Sequence, residues 1–370
     1  MKKLIFCFCS FAFLNQACVQ QPDSENHIVF QNENCSLTID LFGGAIDDFR
    51  LNDIDINPFT WELLSCEMPE NNRKGAPFKG HFLCLGRWGE PTKGEIKSGV
   101  PHNGQSSNEK WKIVSFEKKQ KAELQSVAPL DYTTLKRSII LDEKQAVFKI
   151  TDQITSHATV GRLFNVVQHV TVGPPFLSES TTIDCNAGKG FMQHLCYPDP
   201  ERYAYEWPAA IVDSTGLNMD LTKSDEAFSY VSTHLMKDST GWVTASSPES
   251  GLMLGYIWKT AEYPWINIWH QRQDGQLRAK GLEFGTTGVG KSYQELLAVD
   301  TRFRGINSYI YLDAKEEINK SFICFLLKIP ANFAGVESIS LGNGEITIVE
   351  KQGKNIHTIP CSFRLYPPTP

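Results

Sequence analysis

Residues 162–172 read Arg-Leu-Phe-Asn-Val-Val-Gln-His-Val-Thr-Val, and Gly173-Pro174-Pro175 follows. β-Branched residues crowd this run and the Gly-Pro-Pro stops it, so it predicts a half-buried strand with His169 close to an open rim. The same signature recurs outward in both directions. Leu37, Ile39 and Leu41 alternate with polar residues before Gly43-Gly44, and Ala146, Phe148 and Ile150 alternate over 145–151. Ile346 and Ile348 precede Lys351-Gln352-Gly353-Lys354, and Ile356 follows, which is a hairpin pattern. Residues 321–329 form an apolar run ending at Pro330, the mark of a central strand. Long amphipathic helical stretches are scarce; residues 226–235 offer at most a short helical turn.

Many short strands with turn residues between them predict an all-β fold. No linker, internal repeat or low-complexity stretch divides residues 30–370, so one large antiparallel β-sandwich is the expected architecture. The 370 residues suffice for a sizeable core, and 41% apolar with 21% charged residues is a globular balance. A net charge of −6 without a basic block excludes nucleic acid as an expected partner.

The first residues read as an address. Met1-Lys2-Lys3 is followed by an apolar run over residues 4–14 and then Asn15-Gln16-Ala17-Cys18. This layout predicts a signal peptide over 1–17 and lipidation at Cys18, with 18–29 as a polar tether. The protein is then expected to be exported to the periplasm or cell envelope, held at a membrane through the N-terminal lipid. Of ten Cys residues, seven lie beyond Cys18, an odd number with no Cys-x-x-Cys pair, so buried free thiols are expected rather than a disulfide framework or a zinc site.

Four clusters place polar side chains in unusual settings. Gly80-His81-Phe82-Leu83-Cys84-Leu85-Gly86-Arg87-Trp88-Gly89 sets Arg87, a fork for hydroxyls or a carboxylate, beside the flat face of Trp88. Gly99-Val100-Pro101-His102-Asn103-Gly104 presents His102 or Asn103 on a turn. Gln168-His169-Val170 buries a histidine whose two ring nitrogens need partners. In Lys280-Gly281-Leu282-Glu283-Phe284-Gly285-Thr286, apolar neighbours desolvate Glu283, which raises a carboxyl pKa and suits proton transfer. Each cluster also has a structural reading: a loop-capping Arg, a surface turn, a satisfied core His and a salt-bridged Glu.

In this order, and with Gly43-Gly44-Ala45-Ile46 near the start, the clusters resemble the galactose mutarotase-like (aldose 1-epimerase) superfamily over about residues 30–330. The resemblance implies a β-supersandwich whose concave face holds a mono- or oligosaccharide, and a mechanism without cofactor or metal. It implies Glu283 as the base on the anomeric hydroxyl and His169 as the acid on the ring oxygen. Arg87, His102 and Asn103 would hold hydroxyls, and Trp88 and Trp269 are candidate stacking faces. The chain departs from the family pattern twice. Asn103 stands where the family has His directly before Gly, and Val170-Thr171 replaces the Pro-Tyr that commonly follows the strand His. A non-catalytic sugar-binding protein and a polysaccharide-cleaving enzyme are the competing readings on such a scaffold.

Overall fold

A computed structural model describes residues 26–353 and 355–366. The signal-like segment 1–17, Cys18 and most of the tether lie outside the described residues. The boundary expected at 29 falls inside the folded part, because His27–Gln31 is already a strand paired antiparallel with Cys35–Asp40.

Two antiparallel sheets face each other. The larger has ten strands, in the spatial order His27–Gln31, Cys35–Asp40, Ala45–Leu51, His81–Leu85, Val166–Val172, Gln276–Gly285, Trp265–Gln273, Tyr230–Met236, Ala187–Met192 and Tyr205–Glu206. The smaller has eight, in the order Thr182–Cys185, Thr240–Ser247, Leu252–Lys259, Glu317–Lys328, Val147–Ser156, Thr133–Leu141, Lys121–Ala128 and Lys112–Glu117. The apolar run at 321–329 lies within Glu317–Lys328, deep in its sheet as its composition predicts. Residues 226–235 give no helix. Tyr230–Met236 is a strand of the large sheet, flanked by Trp265–Gln273 and Ala187–Met192.

Period-two alternation sorts the side chains of Val166–Val172. Val166, Val170 and Val172 enter the core between the sheets, while Val167 joins Phe82, Cys84 and Ala279 in a cluster on the opposite face. All seven residues are buried, more than the half-buried pattern expected, because loops carrying Trp61, Phe78 and Trp88 cover that second face.

Gln168 points inward with the valines and anchors the strand. Arg137 Nε and Nη2 each donate to Asp152 at 2.7 Å, and Gln168 Nε2 donates to Asp152 Oδ2 at 3.0 Å and Tyr263 Oη at 2.9 Å. His81 Nε2 lies 3.1 Å from Gln168 Oε1. Such a buried ion pair is tolerable because neighbours take up most of its hydrogen-bonding capacity; Arg137 Nη1 alone is left without a partner, and the guanidinium lies over the Trp111 ring at 5.2 Å. This network ties Val166–Val172 of one sheet to Thr133–Leu141 and Val147–Ser156 of the other.

The hairpin expected near 346–356 is present, as Glu345–Glu350 paired with Ile356–Pro360, joined by Val336–Gly342 into a three-stranded sheet. Its Ile339, Ile346, Ile348 and Ile359 pack on Val147, Met253 and Ile323 of the eight-stranded sheet. Cys35, Cys84, Cys185, Cys196, Cys324 and Cys361 are buried free thiols as expected, whereas Cys66 is free and exposed on a loop.

Candidate active site

Strand register builds the floor of a hollow on the face of the large sheet that is turned away from the inter-sheet core. His169 is opposite Phe82 on one side. On the other, Gln168 faces Phe284 and Thr171 faces Gly281, which sets His169 beside Glu283. Glu283 in turn faces Asn267, and Asn267 faces Thr233. A second row, one pleat along, carries Thr171, Gly281, Trp269 and Val231. His169 and Glu283, 114 positions apart in the chain, thus become cross-strand neighbours with side chains on one face. Gly281 is required in this row, since a Cβ there would meet Glu283 Oε1 and Trp269 Cβ, each at 2.9 Å.

The hollow has a volume of about 450 Å³, within the range of small-ligand sites. Its walls include Trp61, Phe78, Trp88, His102, Asn103 and Gln193. His169 is boxed by aromatic rings: Phe82 stacks at 4.2 Å, Trp61 lies near-parallel at 6.4 Å, and Trp269 meets it edge-on at 6.1 Å. Among the described residues lining the hollow, none is Lys or Arg.

His169 Nε2 and Glu283 Oε1 are 3.3 Å apart, with the residues 9% and 2% exposed. The Trp88 indole N–H donates to Glu283 Oε2 at 2.9 Å, and His169 Nδ1 lies 3.1 Å from Thr171 Oγ1. Burial pushes the Glu283 carboxyl up to about 8, against the Trp88 hydrogen bond that favours the carboxylate. Burial pushes the His169 imidazole down to about 3. At neutral pH the pair therefore holds one proton, resting on the Glu283 side. Its other one-proton form, carboxylate and imidazolium, differs only by transfer across the 3.3 Å contact.

The turn at 101–104 resolves the departure at Asn103. Asn103 sits at φ 61°, a left-handed conformation that Asn adopts more readily than most residues, and its Oδ1 accepts from the Gly89 N–H at 2.7 Å. Gly104 must be glycine, because a Cβ there would lie 1.8 Å from the Leu85 carbonyl oxygen. Asn72 clamps the His102 backbone, accepting from its N–H at 2.9 Å and donating to its C=O at 3.1 Å. His102 and Asn103 both reach the hollow, and burial lowers the His102 pKa.

The structure unites most of the predicted residues and removes one. His169, Glu283, Trp88, Trp269, His102 and Asn103 all line the hollow; Arg87 does not. The Arg87 guanidinium is turned away, with Nη1 2.8 Å from Glu95 and Nη2 3.1 Å from Asp131. Asp131 has no exposed surface and demands a counter-ion. Just past the end of the strand His81–Leu85, Trp88 turns into the hollow while Arg87 turns to the two carboxylates. The acid and base also sit side by side on one floor rather than on opposite walls. Trp61, Phe78 and Gln193 had no motif around them; only the richness in aromatic residues hinted that such walls were available.

No family model and no curated protein matches the sequence. Solved structures do. A candidate aldose 1-epimerase of Escherichia coli K12 matches with a TM-score of 0.58 and 12% identity, over 82% of this chain and 99% of that one. A galactose mutarotase related enzyme of Lactobacillus acidophilus matches at 0.57 and 11%, over 82% and 98%. A galactose mutarotase-like protein of Clostridium acetobutylicum matches at 0.54 and 12%, over 81% and 95%. The fold is galactose mutarotase-like, as the order of the sequence clusters implies. At these identities the likeness speaks for the fold, and the chemistry has to come from the side chains in the hollow.

Proposed function

We propose that the protein binds a neutral hexose-type sugar in this hollow and interconverts its anomers. The observation that carries the reading is the Glu283–His169 pair, in contact at 3.3 Å and buried on the floor among aromatic faces. The anomeric hydroxyl O1 and the ring oxygen O5 are both bonded to C1, so the base and acid that serve them belong side by side. In the ion-pair form, Glu283 takes the O1 proton while His169 gives its proton to O5. The C1–O5 bond breaks, C1=O1 forms, the chain rotates about C1–C2, and the steps reverse on the other face. Both transfers move protons only, so the pair's single proton suffices. Trp88 holds the carboxylate form in place. The absence of Lys and Arg from the lining favours an uncharged sugar over a phosphorylated or acidic one.

The test is anomer exchange followed by polarimetry or NMR on a panel of hexoses, above the spontaneous rate. Glu283→Gln and His169→Ala are each expected to lower the rate by about 10²-fold or more. Exchange unchanged in both variants refutes the catalytic reading. A non-catalytic sugar-binding role is the second reading, favoured by the withdrawal of Arg87 and the engagement of Asn103 Oδ1 by Gly89. Binding without exchange in the wild-type protein selects it. Export with a lipid anchor at Cys18 is proposed from the layout of residues 1–18; labelling with a fatty acid, lost in Cys18→Ala, tests it.

A further inference from the structure

The hollow over Glu283 and His169 is not closed at its end. A second cavity, of about 670 Å³, adjoins it, and Trp61, Leu63, Glu67 and Gln271 line both. The strand Trp265–Gln273 runs through the two: Trp269 and Gln271 belong to the first cavity, Gln271 and Gln273 to the second. Across the hairpin, Gln276 and Arg278 complete this polar stretch. Among the described residues, the side chains of Gln271, Gln273, Gln276 and Arg278 have no protein hydrogen-bond partner. Three amides and a guanidinium thus stand along one trough with donors and acceptors unused. Gln matches a sugar hydroxyl in kind, since both donate and accept. The partition between the cavities is fixed: Gly80 N–H donates to the Trp61 carbonyl at 2.8 Å and Leu63 N–H to Phe78 at 2.9 Å. A rigid aromatic at the junction, followed by amides, suits successive pyranose units better than a single ring.

We infer that the ligand is an oligosaccharide of neutral sugars, with one unit over Glu283 and His169 and the next in the trough of Gln271, Gln273 and Arg278. This rests on the anomer-exchange reading, which also sets the direction of the chain. Exchange requires a free reducing end, so the reducing unit occupies the first hollow and the preceding unit the second.

The test is calorimetric titration of the full chain with glucose and galactose, then with cellobiose, maltose and lactose and their trisaccharide extensions. For at least one linkage, the disaccharide is expected to bind about tenfold tighter than its monosaccharide, the worth of one or two added hydrogen bonds. Gln273→Ala and Arg278→Ala, both outside the first hollow, are expected to erase that gain and leave monosaccharide binding and exchange intact. Monosaccharide binding with no gain for any disaccharide overturns the inference and spares the anomer-exchange reading. A gain unaffected by either substitution also overturns it. A length-dependent gain lost in Gln273→Ala, with no anomer exchange by the wild-type protein, supports the second cavity and refutes the catalysis.

Discussion

Replacing Glu283 by Gln should change how stability depends on pH in a way that the one-proton pair dictates. In the unfolded chain Glu and His titrate near their ordinary values of 4.5 and 6.5; folded, burial places them at about 8 and about 3. Between pH 4.5 and 6.5 the unfolded pair binds one proton, on His, and the folded pair binds one, on Glu283. Stability has no slope there from these groups. Between pH 6.5 and 8 the folded pair keeps its proton while the unfolded pair has none, so stability falls as pH rises, by about 1.4 kcal/mol per unit and about 2 kcal/mol across the window. Below pH 4.5 the unfolded pair binds two protons against one, and stability falls as pH drops. In Glu283→Gln the alkaline loss disappears. The acid loss instead begins at 6.5, because buried neutral His169 is no longer offset by the carboxyl. Urea denaturation of both proteins from pH 4 to 8.5 measures the difference, in which all other groups cancel. A difference curve that is flat from pH 6.5 to 8 refutes the buried, protonated Glu283.

Three further substitutions test the surroundings of the pair. Trp88→Phe removes the N–H that supports the Glu283 carboxylate; the carboxyl pKa should rise further, the alkaline stability loss should still begin near pH 6.5 but run on to higher pH before it levels off, and exchange should slow about tenfold or more, read from pH–rate profiles. Gly281→Ala pushes a methyl group to 2.9 Å from both Trp269 Cβ and Glu283 Oε1 and should cost about 1–3 kcal/mol in denaturation, with sugar affinity lost. Arg87→Ala leaves Asp131 buried with only Arg162, at 3.4 Å, as a cationic partner; about 3 kcal/mol of stability should be lost while the sugar dissociation constant stays within twofold, whereas a sugar-contacting Arg would show the reverse.

The sequence carried the strands wherever one period dominated: 145–151, 321–329 and the 346–356 hairpin all stand where their alternation or apolar run put them. Residues 226–235 misled because Tyr-Val-Ser-Thr-His-Leu-Met, at 230–236, mixes polar and apolar residues on both faces, and the polar ones find their partners only once the strand forms: Ser232 with Tyr205 across strands and with His234 along its own, Thr233 with Asn267 across strands. The site divides along the same line. Glu283 and His169 were legible because each is an ionisable residue inside an apolar run. That they touch depends on which strands are neighbours, a long-range fact. Arg87 and Trp88 were equally conspicuous, and what separates them is a buried carboxylate, Asp131, 44 positions away.

That dependence on register suggests a last experiment beneath the floor rather than on it. Gln168 and His169 are consecutive, so whatever fixes Gln168 on the inner face fixes His169 on the outer one. Gln168→Leu has about the right volume for the core but abandons the fully buried Tyr263 hydroxyl, His81 Nε2 and one bond to Asp152. Unpaired groups of this kind cost about 1–3 kcal/mol each, so a loss of about 2–5 kcal/mol is expected in denaturation. Backbone pairing with His81–Leu85 and Gln276–Gly285 on either side remains, and it holds the register independently of the side chain. The folded variant should therefore keep the alkaline stability loss of the Glu283–His169 pair and its sugar affinity at an unchanged midpoint in pH. If instead the alkaline loss vanishes in folded Gln168→Leu, the inner network does more than stabilise: it positions the imidazole, and the strand ladder alone is too weak to present His169 to Glu283.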